Sequence, residues 1–290
     1  MGTELKYVSE SVEESFEINE PHLFDYTIET QIKIQNFTSK SPLRYPGGKS
    51  RGVQTITSFF PKNLRVLLSP FFGGGSIELF LASKGIKVLG YDIFGPLVEF
   101  WQCLLNNPEM LALEVAKYLP LPKEKFYQLQ NSQNEFTSKL ERAAIFYVLN
   151  RASFSGSTLS GGMSPQHPRF NKTSIERIKD FYNPNISIEQ LDFKESLKMY
   201  PNIFAYLDPP YLIKNSLYGH KGNTHKEFDH NSLSLMLSNR EKWILSYNDC
   251  NEIRDLYSQF YIFTPEWKYG MSSDKSSKEV LIFSKDLKVK

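Results

Sequence analysis

Residues 65–92 read RVLLSPFFGGGSIELFLASKGIKVLGYD, and this stretch excludes most architectures at once. The apolar run at 65–69 (RVLLS) predicts a buried strand, and Gly73-Gly74-Gly75 predicts a turn. The apolar spacing at 76–84 (SIELFLASK) predicts a helix with Ser76 as N-cap and Gly85 closing it. Residues 87–92 (KVLGYD) predict a second strand that ends in an acid. Strand, glycine turn, helix and strand make a βαβ unit, which implies a parallel sheet and an α/β fold.

Five further strands are expected at 186–191, 203–207, 243–247, 260–264 and 280–284. The last two flank the polar loop KYGMSSDKSSKE and read as an antiparallel hairpin, so the sheet is mixed and seven-stranded. Between 100 and 185 no strand pattern persists. Helical periodicity appears at 110–117 and 140–150, followed by the Ser/Gly-rich run RASFSGSTLSGGMSPQHPRF. The expected organisation is an acidic N-terminal extension at 1–40, a catalytic domain from 41–94 and 185–290, and a mainly helical insertion at 95–184. Within the extension, the alternation in TIETQIKIQ predicts one short strand.

The chain has 290 residues, 40% hydrophobic, enough for one α/β domain with an insertion and a proper core. Its net charge of +2 is unevenly spread. Residues 1–40 hold three basic and eight acidic side chains, leaving 31 basic and 24 acidic in the remainder. A mildly basic body is compatible with a polyanionic partner. No apolar run has the length of a membrane span, and MGTELKYVSESVEE lacks a signal-peptide core. Lys6 stands where a myristoylation motif needs Ser or Thr. A soluble, cytoplasmic protein is expected. Cys103 and Cys250 fit no metal or redox spacing and read as two buried thiols.

Glycines where a strand gives way to a helix let the backbone approach a ligand at the helix N-terminus. Asp92, 17 residues after Gly75 at the next strand end, is placed to accept hydrogen bonds from ribose hydroxyls. Together they predict a nucleoside cofactor. The spacing is not a clean G-x-G-x-x-G, which disfavours a pyrophosphate-bearing dinucleotide. S-adenosylmethionine needs a glycine turn, an acid for its ribose and a positive group for its carboxylate. The segment RYPGGK at 44–49 can supply that group, although alone it reads as a surface turn with a solvated lysine.

A second constellation, Asp208-Pro209-Pro210-Tyr211, follows the strand at 203–207 and so falls at the carboxyl edge of the sheet. Proline ends strands and restricts the residue before it, which accounts for the prolines. It does not account for an acid and an aromatic at fixed spacing beside a cofactor site. With this motif the sequence resembles the Dam-type DNA adenine-N6 methyltransferases, over roughly residues 43–284. The matching segments are PLRYPGGKS, SPFFGGGS, YDI, YVLNRASFSG, DPPY, SYND and EVLIFS.

The resemblance implies a Rossmann-like methyltransferase fold whose helical insertion recognises DNA. It implies S-adenosyl-L-methionine as cofactor, S-adenosyl-L-homocysteine as product, and no metal. Lys49 and Gly73–Gly75 would hold the methionyl part, Asp92 the ribose, and Asp192-Phe193 the adenine. Tyr45, Gly47, Gly48, Pro70, Phe71, Phe72, Ser76 and Ile93 complete the expected cofactor contacts, with Asp208 at the boundary. Asp208 and the Pro209 carbonyl would grip the target amino group, while Pro210 fixes the turn and Tyr211 stacks on the base. An adenine amino nitrogen is a poor nucleophile because its lone pair is delocalised. Two acceptors on its hydrogens favour a tetrahedral nitrogen, so positioning and electrostatics dominate catalysis. A base inside a duplex must be flipped out to reach such a pocket. Two positions depart from the family: Ser69 replaces a common Glu that would contact the cofactor's amino group, and Phe94 replaces an Asn often following the ribose acid.

Double-stranded DNA is the expected partner. Asn150, Arg151, Phe154, Ser155, Thr158, Gln166, His167, Arg169 and Asn171 are the candidate readers in the insertion. Phe154 could wedge into the base stack. The loop after DPPY carries histidines at 220, 225 and 230, which share no helical face and do not form a metal site. There His220, Lys221 and Lys226 read instead as a basic lid on phosphate, and Lys268, Lys275 and Lys278 as a similar cluster. The resemblance further implies a bacterial or phage-encoded protein, either paired with a cognate restriction endonuclease or an orphan methylase, acting as a monomer or weak dimer. The competing readings are a methyltransferase of RNA adenine or of a protein glutamine amide, a degenerate DNA binder, and a nicotinamide dehydrogenase. Asn commonly opens the motif in the glutamine enzymes, so Asp208 favours a nucleobase.

Overall fold

The computed structural model describes residues 37–45, 47–132, 135–156, 158, 161–164, 169–212, 228–265 and 279–287. The acidic extension to residue 36 and its expected strand lie outside the described residues. The chain enters through helix α1 (Val53–Ser58) and continues as β1 (Val66–Ser69), α2 (Ser76–Ala82) and β2 (Lys87–Asp92). β1 and β2 pair in parallel, with Leu67 opposite Val88, as a βαβ crossover requires.

The start of α2 differs from expectation. Gly75, at φ +66, is the N-cap, and no side chain caps the helix. A Cβ at Gly75 would lie 2.8 Å from the Phe72 ring and 3.2 Å from Trp101, so only glycine fits this tight left-handed position. The turn thereby starts the helix one residue early. Ser76 already has helical geometry, and its hydroxyl is not directed at the exposed amides.

Among the described residues, five α-helices lie between β2 and the next strand: α3 (Gly95–Asn106), α4 (Pro108–Ala116), α5 (Lys123–Asn131), α6 (Lys139–Ala152) and α7 (Lys172–Lys179). The periodic segments at 110–117 and 140–150 fall in α4 and α6. Every residue of α6 from Ala143 to Asn150 is buried, because α3, α4 and α5 surround it. Phe100 of α3 stacks on Tyr147 of α6 with rings 5.5 Å apart and 3° from parallel. The apolar side chains of these helices are continuous with Leu67, Val88, Ile186 and Ile188 on one face of the sheet.

β3 (Ile186–Gln190), α8 (Phe193–Met199), β4 (Ala205–Leu207), α9 (His230–Ser238), β5 (Trp243–Asn248), α10 (Asn251–Leu256), β6 (Tyr261–Phe263) and β7 (Glu279–Phe283) follow. The seven strands run in the order β3-β2-β1-β4-β5-β7-β6. All pairings from β3 through β5 are parallel, whereas β7 is antiparallel to both β5 and β6. This is the mixed seven-stranded α/β sheet with a C-terminal antiparallel pair that the sequence predicts. Its second face carries Leu68, Leu207, Leu245 and Val280 against Leu197, Leu233, Leu237 and Ile253 of α8, α9 and α10. Covering both faces explains why the central strands read as unbroken apolar runs.

From β1 the chain moves outward through β2 to β3, then returns to place β4 on the other side of β1. The carboxyl ends of β1 and β4 therefore diverge at a topological switch point, where open α/β sheets hold ligands. Cys103 and Cys250 are free and half-buried, rather than buried as expected. No helix among the described residues is long and apolar enough to cross a membrane.

Candidate active site

The floor of the crevice is the glycine turn after β1. The Trp101 indole donates to the Gly73 carbonyl at 3.0 Å, and the Gly73 amide donates to Asp92 Oδ2 at 3.0 Å. Asp92 Oδ1 accepts the Phe94 amide at 3.0 Å. Burial pushes the Asp92 carboxyl up, and these backbone donors oppose the rise. With three backbone donors acting on it, the carboxylate keeps some acceptor capacity for a ligand hydroxyl. The Tyr45 ring covers the turn from above, so that a Cβ on Gly74 would lie 2.6 Å from Tyr45 Cβ. Gly48 packs against the Tyr45 carbonyl, and Gly47 accepts the Lys49 ammonium on its carbonyl at 2.9 Å.

On the β2–β3 side, Phe71 stacks on Phe193 at 5.5 Å, and Phe228 meets both rings at 5.6 and 5.3 Å. Asp192 caps α8 by accepting the Lys194 amide at 2.8 Å. Ile93 is 55% exposed beside Asp92, and Pro70 and Phe72 are buried beneath the turn. Tyr45, the glycine turn, Asp92, Ile93, Phe71 and Phe193 thus lie around the carboxyl ends of β1, β2 and β3, whereas Pro70 and Phe72 support the turn from the interior; Pro46 lies outside the described residues.

The DPPY segment leaves β4 directly opposite. Lys49, only 3% exposed, sets its ammonium 2.8 Å from Asp208 Oδ1 and donates to the Tyr211 hydroxyl at 2.7 Å. The Tyr211 hydroxyl in turn donates to Glu279 Oε1 at 2.7 Å, and Lys49 Nζ is 3.6 Å from the same oxygen. One lysine therefore faces two carboxylates. Burial raises the Asp208 carboxyl to about 6; Lys49 opposes the rise and Glu279 adds to it. Burial also drives the Tyr211 phenol well above its usual value, so it acts as a neutral hydrogen-bonding group. Pro209 is buried and Pro210 half-buried behind this network.

The end of β5 holds the segment in place. Asn248 accepts the Leu212 amide on Oδ1 and donates Nδ2 to the Leu212 carbonyl, both at 3.0 Å. The Tyr247 ring packs against Tyr211 at 6.0 Å, and its hydroxyl meets His230 Nδ1. Under the segment, the Tyr206 and Ser246 hydroxyls share a buried 2.8 Å hydrogen bond.

Ser69, at the end of β1, donates its hydroxyl to Glu78 Oε1 at 2.7 Å. Glu78 lies in the first turn of α2, is 3% exposed and is raised to about 7, mainly by burial. The sequence reading passed over Glu78, Glu279 and Asn248. The last two lie in quoted segments, SYND and EVLIFS, where the only signal was a polar residue at a strand terminus. Glu78 looked like one acid on an amphipathic helix.

The expected DNA readers divide into three groups. Asn150 is 1% exposed, and its amide accepts the Arg44 amide at 2.8 Å and donates to the Arg44 carbonyl at 2.8 Å and Thr158 Oγ1 at 3.1 Å. Asn150 and Thr158 are therefore interior clamps, a correction to their expected direct contact with bases. Asn171 caps α7 by accepting the Ser174 amide at 2.9 Å. At the surface, Phe154 is 64% exposed on the short turn Phe154–Gly156 that also contains Ser155. A bridge between Ser153 and Met163 closes the base of that loop. Beside it, Arg151 donates to the Arg169 carbonyl at 3.0 Å, and Arg44 donates to the Ser153 carbonyl at 2.9 Å. Burial, then the nearby Arg169 and Arg151 charges, lower Arg44 below the usual arginine value. Gln166, His167, His220, Lys221, Lys226, Lys268, Lys275 and Lys278 lie outside the described residues.

The sequence model of the D12 class N6 adenine-specific DNA methyltransferase family matches residues 45–271, spanning both sides of the crevice. The chain is 22% identical over 240 residues to the type II methyltransferase M.CviBI of Paramecium bursaria Chlorella virus NC1A, covering 79% of this chain and 91% of that protein. It is 23% identical over 205 residues to the modification methylase StsI of Streptococcus sanguinis, covering 62% of this chain but 30% of the relative. It is 29% identical over 119 residues to a DNA adenine methylase of Haemophilus influenzae, covering 39% and 41% of the two chains.

Proposed function

Because the chain belongs to the D12 class N6 adenine-specific DNA methyltransferase family, its reaction is methylation of adenine in DNA, and we propose that the Lys49–Asp208–Tyr211 network performs it. Methyltransferases of this kind use S-adenosylmethionine in general. The residues present fit that group: Gly73 and Gly74 leave backbone open under Tyr45, Asp92 keeps lone pairs for a ribose, and Lys49 offers a buried cation for a carboxylate. Ile93, Phe71 and Phe193 would hold the adenine ring. The Ser69–Glu78 bond supports a relocated acid, with Glu78 supplying from α2 the carboxylate that the resemblance leads one to expect at Ser69. When bound, the cofactor supplies an electrophilic sulfonium methyl carbon.

In this reading Asp208 and the Pro209 carbonyl accept the two hydrogens of the target amino group. Held this way, the nitrogen lone pair stands out of the ring plane, and Asp208 or water takes the departing proton. Tyr211 covers the base face and offsets part of the stacking lost when adenine leaves a double-stranded helix. Phe154, Arg151 and Arg169 would face the DNA. Two relatives are named as type II and modification methylases, which supports a role in restriction–modification. The observation that carries the reading is the 2.8 Å contact between a buried lysine and Asp208 beside the glycine turn.

The test is to incubate the protein with labelled cofactor and DNA and digest the DNA to nucleosides. Label in N6-methyladenine is expected, and label only in RNA or protein would overturn the reading. Asp208→Ala should lower transfer by about 100- to 1000-fold, the range for losing one electrostatic group from a reaction centre. Cofactor affinity, measured by calorimetry, should change less than threefold.

A further inference from the structure

Glu279 opens β7, and neither the motif reading nor the comparisons give it a role. Its carboxylate is 6% exposed and receives the Tyr211 hydroxyl at 2.7 Å. Lys49 Nζ is 3.6 Å from that same oxygen, against 2.8 Å from Asp208 Oδ1. As it stands, Lys49 engages the acid that must receive the target amine. A shift of Lys49 by roughly 1 Å would bring it within hydrogen-bonding distance of Glu279 and release Asp208 Oδ1. The Tyr211 hydroxyl accepts from Lys49 and donates to Glu279, so it lies between the two positions of the ammonium.

We propose that Glu279 is a positioning residue of the methyl-transfer reaction, anchoring the Tyr211 hydroxyl and drawing Lys49 away from Asp208 as the target amine arrives. The inference rests on the reading that Asp208 receives that amine. A neutral amide at 279 could still accept the Tyr211 hydroxyl, but only a carboxylate there offers Lys49 a negative charge on the side away from Asp208. Among the described residues, Glu78 from α2 and Tyr206 from β4 also act on this network. Removing the negative charge at 279 takes away an influence that raises the Asp208 carboxyl, so that carboxyl must titrate at lower pH.

The test compares Glu279→Gln, Glu279→Asp, Tyr211→Phe and the Glu279→Gln/Tyr211→Phe double variant. kcat and KM for DNA are measured across pH, with thermal melting as a check on folding. Glu279→Gln should lower kcat at least 10-fold, leave KM within threefold, and move the acidic limb of kcat to lower pH. Glu279→Asp should recover part of the rate, and the double variant should lose little more than the worse single one. A Glu279→Gln enzyme with unchanged kcat, or with lowered kcat and an unmoved acidic limb, would overturn the proposal. Should that variant fail to fold, Tyr211→Phe decides: a rate within twofold of the parent would overturn the proposal too. Turnover retained by Asp208→Ala would instead sink the assignment of Asp208 itself.

Discussion

A carboxylate shut away from water must hold either a proton or a partner, and Glu78 illustrates the competition. Its side chain accepts the neutral Ser69 hydroxyl, and burial lifts its carboxyl from 4.5 to about 7. That rise corresponds to about 3 kcal/mol against the ionised form. Between pH 4.5 and 7 the folded protein keeps a proton that the unfolded chain has released. Stability therefore falls as pH rises through this window and stays low above it. Glu78→Gln keeps an acceptor for Ser69 without the charge. It should melt several degrees above the parent at pH 8, with the difference vanishing near pH 4, in thermal melts of the cofactor-free proteins. The same variant should bind S-adenosylmethionine at least 10-fold more weakly if Glu78 faces the cofactor's ammonium. Asp208, raised to about 6, contributes in the same direction over a narrower range.

At the scale of elements, the DPPY turn depends on the end of β5 for its shape. Asn248 closes two hydrogen bonds on the backbone of Leu212, and both need an amide side chain. Asn248→Ala leaves two backbone groups unsatisfied, at a cost of about 1–3 kcal/mol if they stay dry. The expected result is at least a 10-fold fall in kcat/KM for DNA with cofactor affinity unchanged, measured by steady-state kinetics and calorimetry. The strands themselves were legible because a sheet covered on both faces writes long apolar runs, such as WILSY in β5. Helix α6 was legible only in outline, since a helix buried all round has no polar stripe to mark its register. The Ser76 cap failed for a local reason: Gly75 reached the left-handed position first.

For the whole molecule, charge is the relevant quantity. Arg169 and Arg177 are exposed, and they stand near Arg44 and Arg151, which burial and then the neighbouring arginine charges lower below the usual arginine value. If both exposed arginines meet phosphates, replacing them with alanine should reduce the slope of log affinity against log salt by about two. Fluorescence anisotropy with duplex DNA at 50–300 mM salt would read this, and unchanged slopes would place the DNA elsewhere. Motif residues of the site were legible wherever chemistry demands a residue type at fixed spacing, as for Asp92, Asp208 and Tyr211. Glu279, Glu78 and Asn248 were not, because their meaning comes from neighbours 68, 9 and 36 positions away in sequence.

β7 follows β5 and β6 in the chain yet lies between them in the sheet. A growing polypeptide that has left the ribosome only as far as β6 already contains Lys49, Asp208 and Tyr211, but β5 still has an open edge and Lys49 lacks its second acid. The proposed positioning of Lys49 and Tyr211 by Glu279 is thus postponed until synthesis has passed residue 283. A cut between β6 and β7 would leave β7 joined to the rest of the sheet only through its pairing with β5 and β6 and its packing.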